Sequence, residues 1–515
     1  MQLTTLEILE KGLALQQAGQ LEAAEACYFD VLEAEPDNTE AMKLLSIIAA
    51  TRGDFEDALN YADAAIELAP HMGDYWYLRG RVLLDAGASA EAVEALETAL
   101  SKSPADPLTV KIDLATAQGQ AENWAGSLAT AESLLATHPY DPRVLLAAAT
   151  AASVLRRDDL AIAYYKRGIE ADGNDANLWS GAGRHFRAMG DLENAWMCME
   201  RALALTPTDP DAHYATRIVR TEAVPAWHFN MMNDTVRNKA FRAAIERQIK
   251  PHHTVLEIGT GAGLLAMMAG RTGAQVYTCE ANAVLAQTAR GLIEHNKMNG
   301  NVTVIAKPSW EAVVGVDIPR QADVLIAEIF SAQFLSEEVI PSLEDAKRRL
   351  LKPGGIMIPS SGAMVSALVS SDELESLTRV TTIEGFDFTS FNAFAPLIMN
   401  MESPNYAMRW LSEPTDLFTF NFQDDDEFPA EDTQVALEVT QDGMCQGVVQ
   451  WLRLMLDDET PYSNPPGDDK ATRTKHWTPL FYPFALPRLL KKGQTATLRV
   501  SHNRKGARIE LVSVF

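Results

Sequence analysis

Residues 254–263 read Thr-Val-Leu-Glu-Ile-Gly-Thr-Gly-Ala-Gly, an apolar run that leads directly into a glycine-rich turn. The helical run 264–269 follows this turn. A strand, a glycine-rich turn and a helix form the first unit of a doubly wound α/β sheet, in which Gly259, Gly261 and Gly263 let the backbone approach a ligand. Nicotinamide, flavin and S-adenosylmethionine sites all use such turns, so the turn alone does not choose among these cofactors.

Carboxylates follow the predicted strands of this unit. Glu257 lies inside the turn, as in the E/DxGxGxG signature of methyltransferases, and the strand 274–279 leads to Glu280, which can accept hydrogen bonds from both hydroxyls of a ribose. Glu311 lies in the loop where such domains hold the adenine amino group, although a solvated acid at a helix N-terminus explains it equally well. With the later strands, 302–306, 322–327 and 355–359, and the Lys-Pro-Gly-Gly turn 352–355, these residues resemble a class I methyltransferase, which implies S-adenosylmethionine as the cofactor.

Glu328 and Glu337 stand nine residues apart in the segment that follows the strand 322–327. A loop at a strand end can turn both carboxylates toward one cationic group at the mouth of the cofactor site. A guanidinium is planar and always protonated in water, so it is a poor nucleophile. Two carboxylates can hold its N–H groups, orient one nitrogen in line with a methyl sulfonium and favour attack. The pair therefore predicts methylation of arginine.

The first two hundred residues repeat, with turn residues at steps of 34 or 35 and small residues at fixed offsets before them. The turn residues are Pro36, Pro70, Pro104, Pro139, Gly173 and Pro207. This pattern resembles the tetratricopeptide repeat (TPR) family and implies six helix–turn–helix units over residues 2–215, with a groove for a peptide or protein. The alternative is an array that only supports or dimerises the domains C-terminal to it. Trp76 and Trp179 hold equivalent repeat positions, which predicts packing rather than ligand contacts.

Separated motifs from about Trp227 to the C-terminus resemble the protein arginine methyltransferases. The first is the segment 227–238, Trp-His-Phe-Asn-Met-Met-Asn-Asp-Thr-Val-Arg-Asn. By this resemblance, Arg237 binds the carboxylate of the methyl donor, Asp234 pairs with a histidine from a distant loop, and Met231 borders the acceptor pocket. The second motif is the spacing of Glu328 and Glu337, which matches the double-E loop of the family.

The third motif, Lys475-His476-Trp477, matches the Thr-His-Trp loop of the family. The resemblance implies that His476 partners Asp234 in a positioning role and that Trp477 borders the arginine pocket. Lys475 and Pro479 depart from the family pattern, which leaves the acceptor contacts of this loop open. With the TPRs, the motifs are nearest to the TPR-bearing branch, the ninth numbered human-type member, which implies symmetric dimethylarginine. Monomethyl and asymmetric products stay open.

The same branch carries two methyltransferase modules that pair with each other, whereas this sequence has one glycine turn of this kind. The resemblance therefore implies a homodimer. From about residue 363, short alternating apolar segments predict antiparallel strands in a closed or nearly closed barrel. The predicted fold is multidomain: an all-α TPR solenoid at 2–215, a class I, Rossmann-like α/β methyltransferase domain at 216–360, and an antiparallel β-barrel for substrate and dimer contacts at 361–515.

The 515 residues carry a net charge of −26 and are 47% hydrophobic, which is typical of a globular chain with an acidic surface. Such a surface repels nucleic acid and anionic lipid and attracts basic segments, so we expect a protein substrate with an arginine-containing basic segment, and neither nucleic acid nor membrane as a partner. The four scattered cysteines predict no metal site and a reducing compartment. Without a leader pattern or a long apolar run, we expect a soluble, intracellular, cytoplasmic protein, with the nucleus left open.

The leading hypothesis is an S-adenosylmethionine-dependent protein arginine N-methyltransferase whose TPRs recruit the substrate or a partner. One alternative is a methyltransferase for a different acceptor, such as a small molecule or lysine. The other is a TPR adaptor whose methyltransferase domain binds the cofactor without activity. A scaffold has no chemical need for all of the charged residues that the motifs contain, which argues against the adaptor. These residues are Arg237, Glu257, Glu280, Glu328 and Glu337.

Overall fold

The computed structural model describes residues 4–402, 406–467 and 477–515. The chain divides into two compact units, residues 1–222 and residues 223–515. Among the described residues, none of the helices combines the length and the apolarity that crossing a bilayer requires.

The first unit is an all-α array in which successive helices pack as hairpins, six in number within residues 5–205. The predicted all-α repeat array is confirmed in this part of the chain. The helices are α1 (Thr5–Gln17), α2 (Leu21–Ala34), α3 (Thr39–Arg52), α4 (Phe55–Leu68), α5 (Gly73–Asp85), α6 (Ser89–Ser101), α7 (Pro107–Gln120), α8 (Trp124–Leu135), α9 (Pro142–Val154), α10 (Asp158–Ala171), α11 (Ala176–Met189), α12 (Leu192–Leu205) and α13 (Pro210–Ala223).

The repeat positions explain how these hairpins close. The indole nitrogen of Trp76 donates to the carbonyl of Pro70 at 3.1 Å, and that of Trp179 donates to the carbonyl of Gly173 at 2.9 Å. Each tryptophan thus satisfies a backbone carbonyl at the junction between repeats, which accounts for it without a ligand. A Cβ at Gly80 would lie 2.8 Å from the side chain of Leu96, so glycine permits the close approach of α5 and α6.

Replacing Gly80 by valine is expected to destabilise the array by about 1–3 kcal/mol, because the added methyl groups must displace the fully buried Leu96. Gly291→Val provides a matched control, since Gly291 is also helical and an added Cβ there meets no atom within 4 Å. Urea unfolding followed by circular dichroism measures both variants. Equal destabilisation of the two would show that helix propensity, rather than packing between the helices, decides the effect.

The second unit contains a five-stranded parallel sheet in the order β3-β2-β1-β4-β5. This is the predicted Rossmann-like arrangement, with helices against a buried apolar sheet. The strands are β1 (Thr254–Ile258), β2 (Gln275–Cys279), β3 (Val302–Ile305), β4 (Ala322–Ala327) and β5 (Leu351–Ile358). The helices are α14 (Trp227–Met232), α15 (Thr235–Gln248), α16 (Leu264–Gly270), α17 (Ala283–His295) and α18 (Val339–Arg349), and a 3₁₀ turn spans Ser309–Glu311.

The turn predicted at 352–355 lies within β5 rather than before it. The pairing of β5 with β4 passes from Leu351 opposite Ala322 to Ile356 opposite Val324. The residues between them bulge out of the ladder, and Gly354 has a φ of +70° there. These residues therefore form a β-bulge: they leave the hydrogen-bonded ladder, and the strand then continues in the same direction.

The rest of the second unit is antiparallel. One sheet has the order β10-β6-β13-β15-β9, with β11 against β6 and β14 against β13, and the three-stranded sheet has the order β12-β16-β17. The elements are β6 (Ser361–Ser370), α19 (Asp372–Thr378), β7 (Thr382–Ile383), β8 (Phe386–Asp387), β9 (Met399–Asn400), β10 (Arg409–Trp410), β11 (Thr415–Phe420), β12 (Glu431–Glu438), β13 (Gly443–Met455), β14 (Pro461–Ser463), β15 (Leu480–Leu490), β16 (Thr495–His502) and β17 (Ala507–Val514).

The antiparallel character of this region is confirmed, whereas closure of a barrel stays a prediction. In the described ranges, the link between the two large sheets is an isolated bridge between Ser412 and Val439. Apolar side chains of both sheets nevertheless join the core of the parallel sheet. The C-terminal sheets and the parallel sheet therefore form one packed body that can supply residues to a common site.

Candidate active site

A cavity of about 720 Å³ lies in the second unit, where the loops after the parallel strands meet. Ligands of open α/β sheets bind at this edge, beside the point where the strand order reverses, which here falls between β1 and β4. Its described lining holds three carboxylates and neither lysine nor arginine, so it suits a cationic group. The predicted residues in this lining are Met231, Gly259, Gly261, Glu280, Glu328, Glu337 and Trp477.

The glycine-rich turn and Glu280 form the part of the cavity that fits a cofactor. Gly259 has a φ of +87°, and a Cβ there would lie 2.6 Å from the side chain of Ile329, so glycine is required. The amide of Gly261 donates to Oε2 of Glu280 at 2.8 Å, and the amide of Asn282 donates to Oε1 at 2.9 Å. These bonds fix the carboxylate at the end of β2 and leave lone pairs for ribose hydroxyls. The residues present fit S-adenosylmethionine.

Three other residues predicted to bind the cofactor, Arg237, Glu257 and Gly263, are absent from the described lining of this cavity. Gly263 is the N-cap of α16. Glu257 is 1% exposed, and its Oε2 accepts a hydrogen bond from the hydroxyl of Thr278 at 2.5 Å. Burial raises the pKa of Glu257 to about 8. The structure therefore places Glu257 behind the turn, as a buried acid that supports it.

The raised pKa of Glu257 predicts a pH-dependent stability. The folded protein holds a proton that the unfolded chain, with an ordinary glutamate pKa, releases. The free energy of unfolding should therefore decrease as the pH rises from about 6 to 8, by on the order of 2 kcal/mol from this group. Urea unfolding at pH 6 and pH 8 compares the wild type with Glu257→Gln, which keeps the shape and cannot ionise. The same decrease in both proteins would assign the pH dependence to other groups.

Glu311, predicted to hold the adenine, is exposed and lies outside the described lining of the cavity. Its neighbours Pro308, Ser309 and Trp310 line the cavity instead. The 3₁₀ turn Ser309–Glu311 thus presents an aromatic ring where the sequence predicted a carboxylate. Trp310 is next to Glu311 in the sequence. A large aromatic residue in this loop was therefore the signal that could have identified Trp310 as a cavity residue.

The loop that carries Glu328 and Glu337 connects β4 to α18 and is held by its aromatic residues; we call residues 328–338 the double-E loop. Phe334 is fully buried and stacks on Phe420 with ring centroids 5.2 Å apart. Its φ is +66°, and Glu337 and Glu338 also have positive φ values of 66° and 57°. L-residues adopt this backbone region at a cost in free energy, so the surrounding packing must hold the loop in place.

Glu328 is paired with Arg237, and both side chains are almost fully buried. Arg237 also donates from Nη1 to the side-chain oxygen of Asn238 at 2.9 Å. Asp234, the N-cap of α15, accepts the amide of Arg237 at 2.9 Å and the hydroxyl of Tyr462 at 3.4 Å. The predicted donor-binding arginine and the first carboxylate of the double-E loop thus form one buried ion pair.

Glu337 is exposed and faces the cavity beside Glu328. Desolvation by the cavity walls and the charge of Glu328 raise its pKa. His228 opposes this rise, and it is buried under Trp227, whose ring lies 3.7 Å away. His228 was not predicted as a cavity residue, although it lies within the motif 227–238. Asn400 also lines the cavity, and the sequence offered no signal for it.

Trp477 closes the cavity from the C-terminal sheets. It is 4% exposed, and its indole nitrogen donates to the carbonyl of Phe330 at 2.7 Å. Its ring packs against Tyr462, with centroids 5.5 Å apart. The predicted partner of Asp234, His476, lies outside the described residues, as does Lys475.

Two family models match the chain. One, described as tetratricopeptide repeat, matches residues 9–72 and 47–107. The other, described as ribosomal protein L11 methyltransferase (PrmA), matches residues 242–376.

Curated relatives match more than half of the chain. An arginine N(omega)-methyltransferase of Streptomyces achromogenes subsp. streptozoticus is 39% identical over 308 residues, which cover 58% of this chain and 84% of that protein. Protein arginine N-methyltransferase 9 of Xenopus laevis is 26% identical over 374 residues, covering 65% of this chain. The chain spans 45% of the length of that relative.

A solved structure, the Trypanosoma brucei PRMT1 enzyme-prozyme heterotetrameric complex with AdoHcy, aligns with 55% of this chain and 92% of its own. The TM-score is 0.48 at 19% sequence identity.

Proposed function

Because the chain belongs to the arginine N-methyltransferase family, we propose that it transfers the methyl group of S-adenosylmethionine to a guanidinium nitrogen of arginine in a protein substrate. The composition of the cavity supports this proposal. Glu280 lines its cofactor side, and Glu328 and Glu337 line the same cavity. Its described lining contains neither lysine nor arginine. A cationic, planar acceptor fits this charge pattern, whereas the uncharged amine that a lysine methyltransferase requires does not need two carboxylates.

The chain's own residues define the steps. Bound S-adenosylmethionine supplies an electrophilic methyl on a sulfonium. Glu328 and Glu337 hold the N–H groups of the guanidinium and aim one nitrogen at that methyl, so that a C–N bond forms as the S–C bond breaks. The methylated nitrogen then releases one proton. Glu337, whose pKa is raised, is the better placed of the two carboxylates to accept it, because Glu328 is paired with Arg237.

The resemblance to the TPR-bearing branch supports symmetric dimethylarginine as the product, and Met231, which the same resemblance assigns to the acceptor pocket, lines the cavity. Methylation assays with labelled S-adenosylmethionine on arginine-rich proteins, followed by hydrolysis and amino-acid analysis, test the reaction and the product together. Symmetric dimethylarginine in the hydrolysate supports the proposal, and exclusively monomethyl or asymmetric product contradicts its second part.

A second candidate acceptor is free arginine. The name of the Streptomyces relative specifies arginine without specifying a protein. The same assay should therefore include free arginine and a short arginine peptide beside the protein substrates. Methylation of free arginine alone would favour this candidate. Cofactor binding without any methylarginine would favour the inactive adaptor.

We propose that the TPR array recruits the basic protein substrate. Residues 1–222 carry 35 of the 70 acidic residues of the chain and 17 of its 44 basic residues, which makes this unit the more acidic one. Attraction between exposed charges weakens with salt. Raising the ionic strength should therefore increase the KM for a basic protein and leave the KM for a short arginine peptide nearly unchanged. Equal salt effects on both substrates would contradict recruitment by the array.

We also propose a homodimer, supported by an exposed apolar segment between α19 and β9. Phe386, Phe394 and Leu397 are 70%, 79% and 87% exposed. Clusters of exposed apolar side chains mark interaction surfaces. Phe394→Ser with Leu397→Ser should convert a dimer to a monomer in analytical ultracentrifugation. Val316→Ser, at an exposed position (80%) outside this segment, serves as the control. A monomeric wild type would contradict the proposal.

A further inference from the structure

The double-E loop depends on restraints from outside itself. Three of its residues, Phe334, Glu337 and Glu338, lie in the left-handed backbone region. Within the loop, the amide of Phe334 donates to the carbonyl of Ser331 at 2.9 Å, and the hydroxyl of Ser336 donates to that of Ser331. Local bonds of this kind do not fix the position of Glu337 relative to the rest of the unit. The C-terminal sheets supply further contacts.

Two buried side chains from the C-terminal region, one on β13 and one just before β15, reach alternate carbonyls of this loop. Trp477 donates to the carbonyl of Phe330 at 2.7 Å, and Nε2 of Gln450 lies 3.5 Å from the carbonyl of Ala332. Gln450 is fully buried on β13. The two donors therefore hold the backbone between the two carboxylates of the loop.

Both donors are anchored on the same strand. Asn464, 2% exposed, accepts the amide of Leu452 at 2.8 Å and donates to the carbonyl of Trp477 at 2.7 Å. Leu452 lies two residues after Gln450 on β13, on the same face of the strand. Strand β13 is thus the common support for both contacts with the double-E loop.

Gln450 occupies a position where an apolar residue would pack well. Its neighbours on the same face, Val448 and Leu452, belong to the buried hydrophobic core. Oε1 of Gln450 and the hydroxyl of Ser366, its cross-strand neighbour, are both buried without a hydrogen-bond partner in the part of the chain that the structure describes. Burying polar atoms without partners costs stability. A glutamine at this position therefore calls for a reason other than core packing.

We propose that Gln450 is a positioning residue for methyl transfer, which sets the place of Glu337 through the carbonyl of Ala332. This inference rests on the proposed arginine methyltransferase activity. Gln450 touches neither substrate nor cofactor groups, since it is absent from the described lining of the cavity. Its effect should therefore appear in the use of the acceptor rather than in the binding of S-adenosylmethionine.

The test compares Gln450→Met with Gln446→Met in the full-length protein. Gln446 is also buried on β13, away from the double-E loop. Its Oε1 accepts the amide of Ser371 at 2.9 Å, and its Nε2 donates to Oε2 of Glu375 at 2.9 Å. Gln450→Met should lower kcat/KM for the acceptor by about tenfold, because small displacements of a positioning group reduce rates strongly. The dissociation constant of S-adenosylmethionine, measured by calorimetry, should change by less than about twofold.

Two further measurements separate positioning from a loss of folding. The acid limb of the pH profile of kcat/KM should shift in Gln450→Met, because the environment of Glu337 changes, and should stay in place in Gln446→Met. Amide hydrogen exchange of peptides from residues 329–337 should accelerate in Gln450→Met alone, and this readout is independent of activity. Equal rates, pH profiles and exchange in the two variants would overturn the proposal. If the wild type transfers no methyl group but exchange is faster in Gln450→Met alone, the proposed function is overturned. The claim that Gln450 restrains the loop then still holds.

Discussion

Replacing Glu337 by glutamine is expected to lower the rate of methyl transfer by on the order of a hundredfold or more, while S-adenosylmethionine still binds. The amide keeps the shape of the side chain and removes the charge that stabilises the guanidinium. It also presents N–H donors to a group that itself offers only donors. The bonds that fix Glu280 at the cofactor side do not involve Glu337, so calorimetry with S-adenosylmethionine should give an unchanged affinity.

Glu338→Gln is a matched control for this substitution. Glu338 is the next residue, also has a positive φ, and pairs with Lys505 at 2.5 Å. It is absent from the described lining of the cavity. Its variant should keep the wild-type rate within about twofold, because an exposed ion pair contributes little to stability. Equal losses in the two variants would indicate that the loop is disrupted and that the charge of Glu337 is not the cause.

The raised pKa of Glu337 gives the same prediction a pH dependence. Activity requires the carboxylate form, and the raised pKa extends the protonated form to a higher pH than for an ordinary glutamate. The value of kcat/KM should therefore increase with pH through this shifted pKa and level off above it. The residual activity of Glu337→Gln should lack this limb. A limb that persists in the variant would belong to another group.

Features with a local pattern could be predicted from the sequence. The 34-residue spacing identified the helix pairs, and the run 254–263 placed β1 and its turn. The nine-residue spacing of Glu328 and Glu337 was sufficient to predict that both carboxylates face one cavity, because the loop after β4 has to return to α18. These signals depend on residues that are close in the sequence, so they can be recognised without knowledge of the rest of the fold.

Features that depend on distant contacts could not be predicted in this way. Glu328 and Arg237 are 91 residues apart, and their pairing arises only when the first turn of α15 comes beside the residue that follows β4. Asn400 reaches the cavity because the short strand β9 pairs with β15. Glu311 was assigned by resemblance alone, and the 3₁₀ turn that contains it places Trp310 at the cavity instead. Closure of the barrel, which the alternating segments predict, also depends on pairing between strands that are far apart in the sequence and stays a prediction.

Breaking the buried ion pair of Arg237 and Glu328 is expected to destabilise the second unit strongly. Arg237→Met should destabilise the second unit by about 3–5 kcal/mol, because it leaves the carboxylate of Glu328 buried without its partner. The same variant should weaken S-adenosylmethionine binding, if Arg237 holds the donor carboxylate as the family resemblance implies. Urea unfolding measures the first effect and calorimetry the second.

A double-mutant cycle separates the charge effect from the loss of side-chain packing. Glu328→Gln in the Arg237→Met background removes the unpaired charge and should recover part of the lost stability, although neither variant should methylate arginine. Arg499→Met offers a control, since Arg499 pairs with Asp432 at 2.6 Å with both side chains about half exposed. That change should cost less than about 1 kcal/mol. The ring centroid of Phe241 lies 5.1 Å from Cζ of Arg237. If the double variant were no more stable than Arg237→Met, the lost stability would come from this packing and not from the unpaired carboxylate.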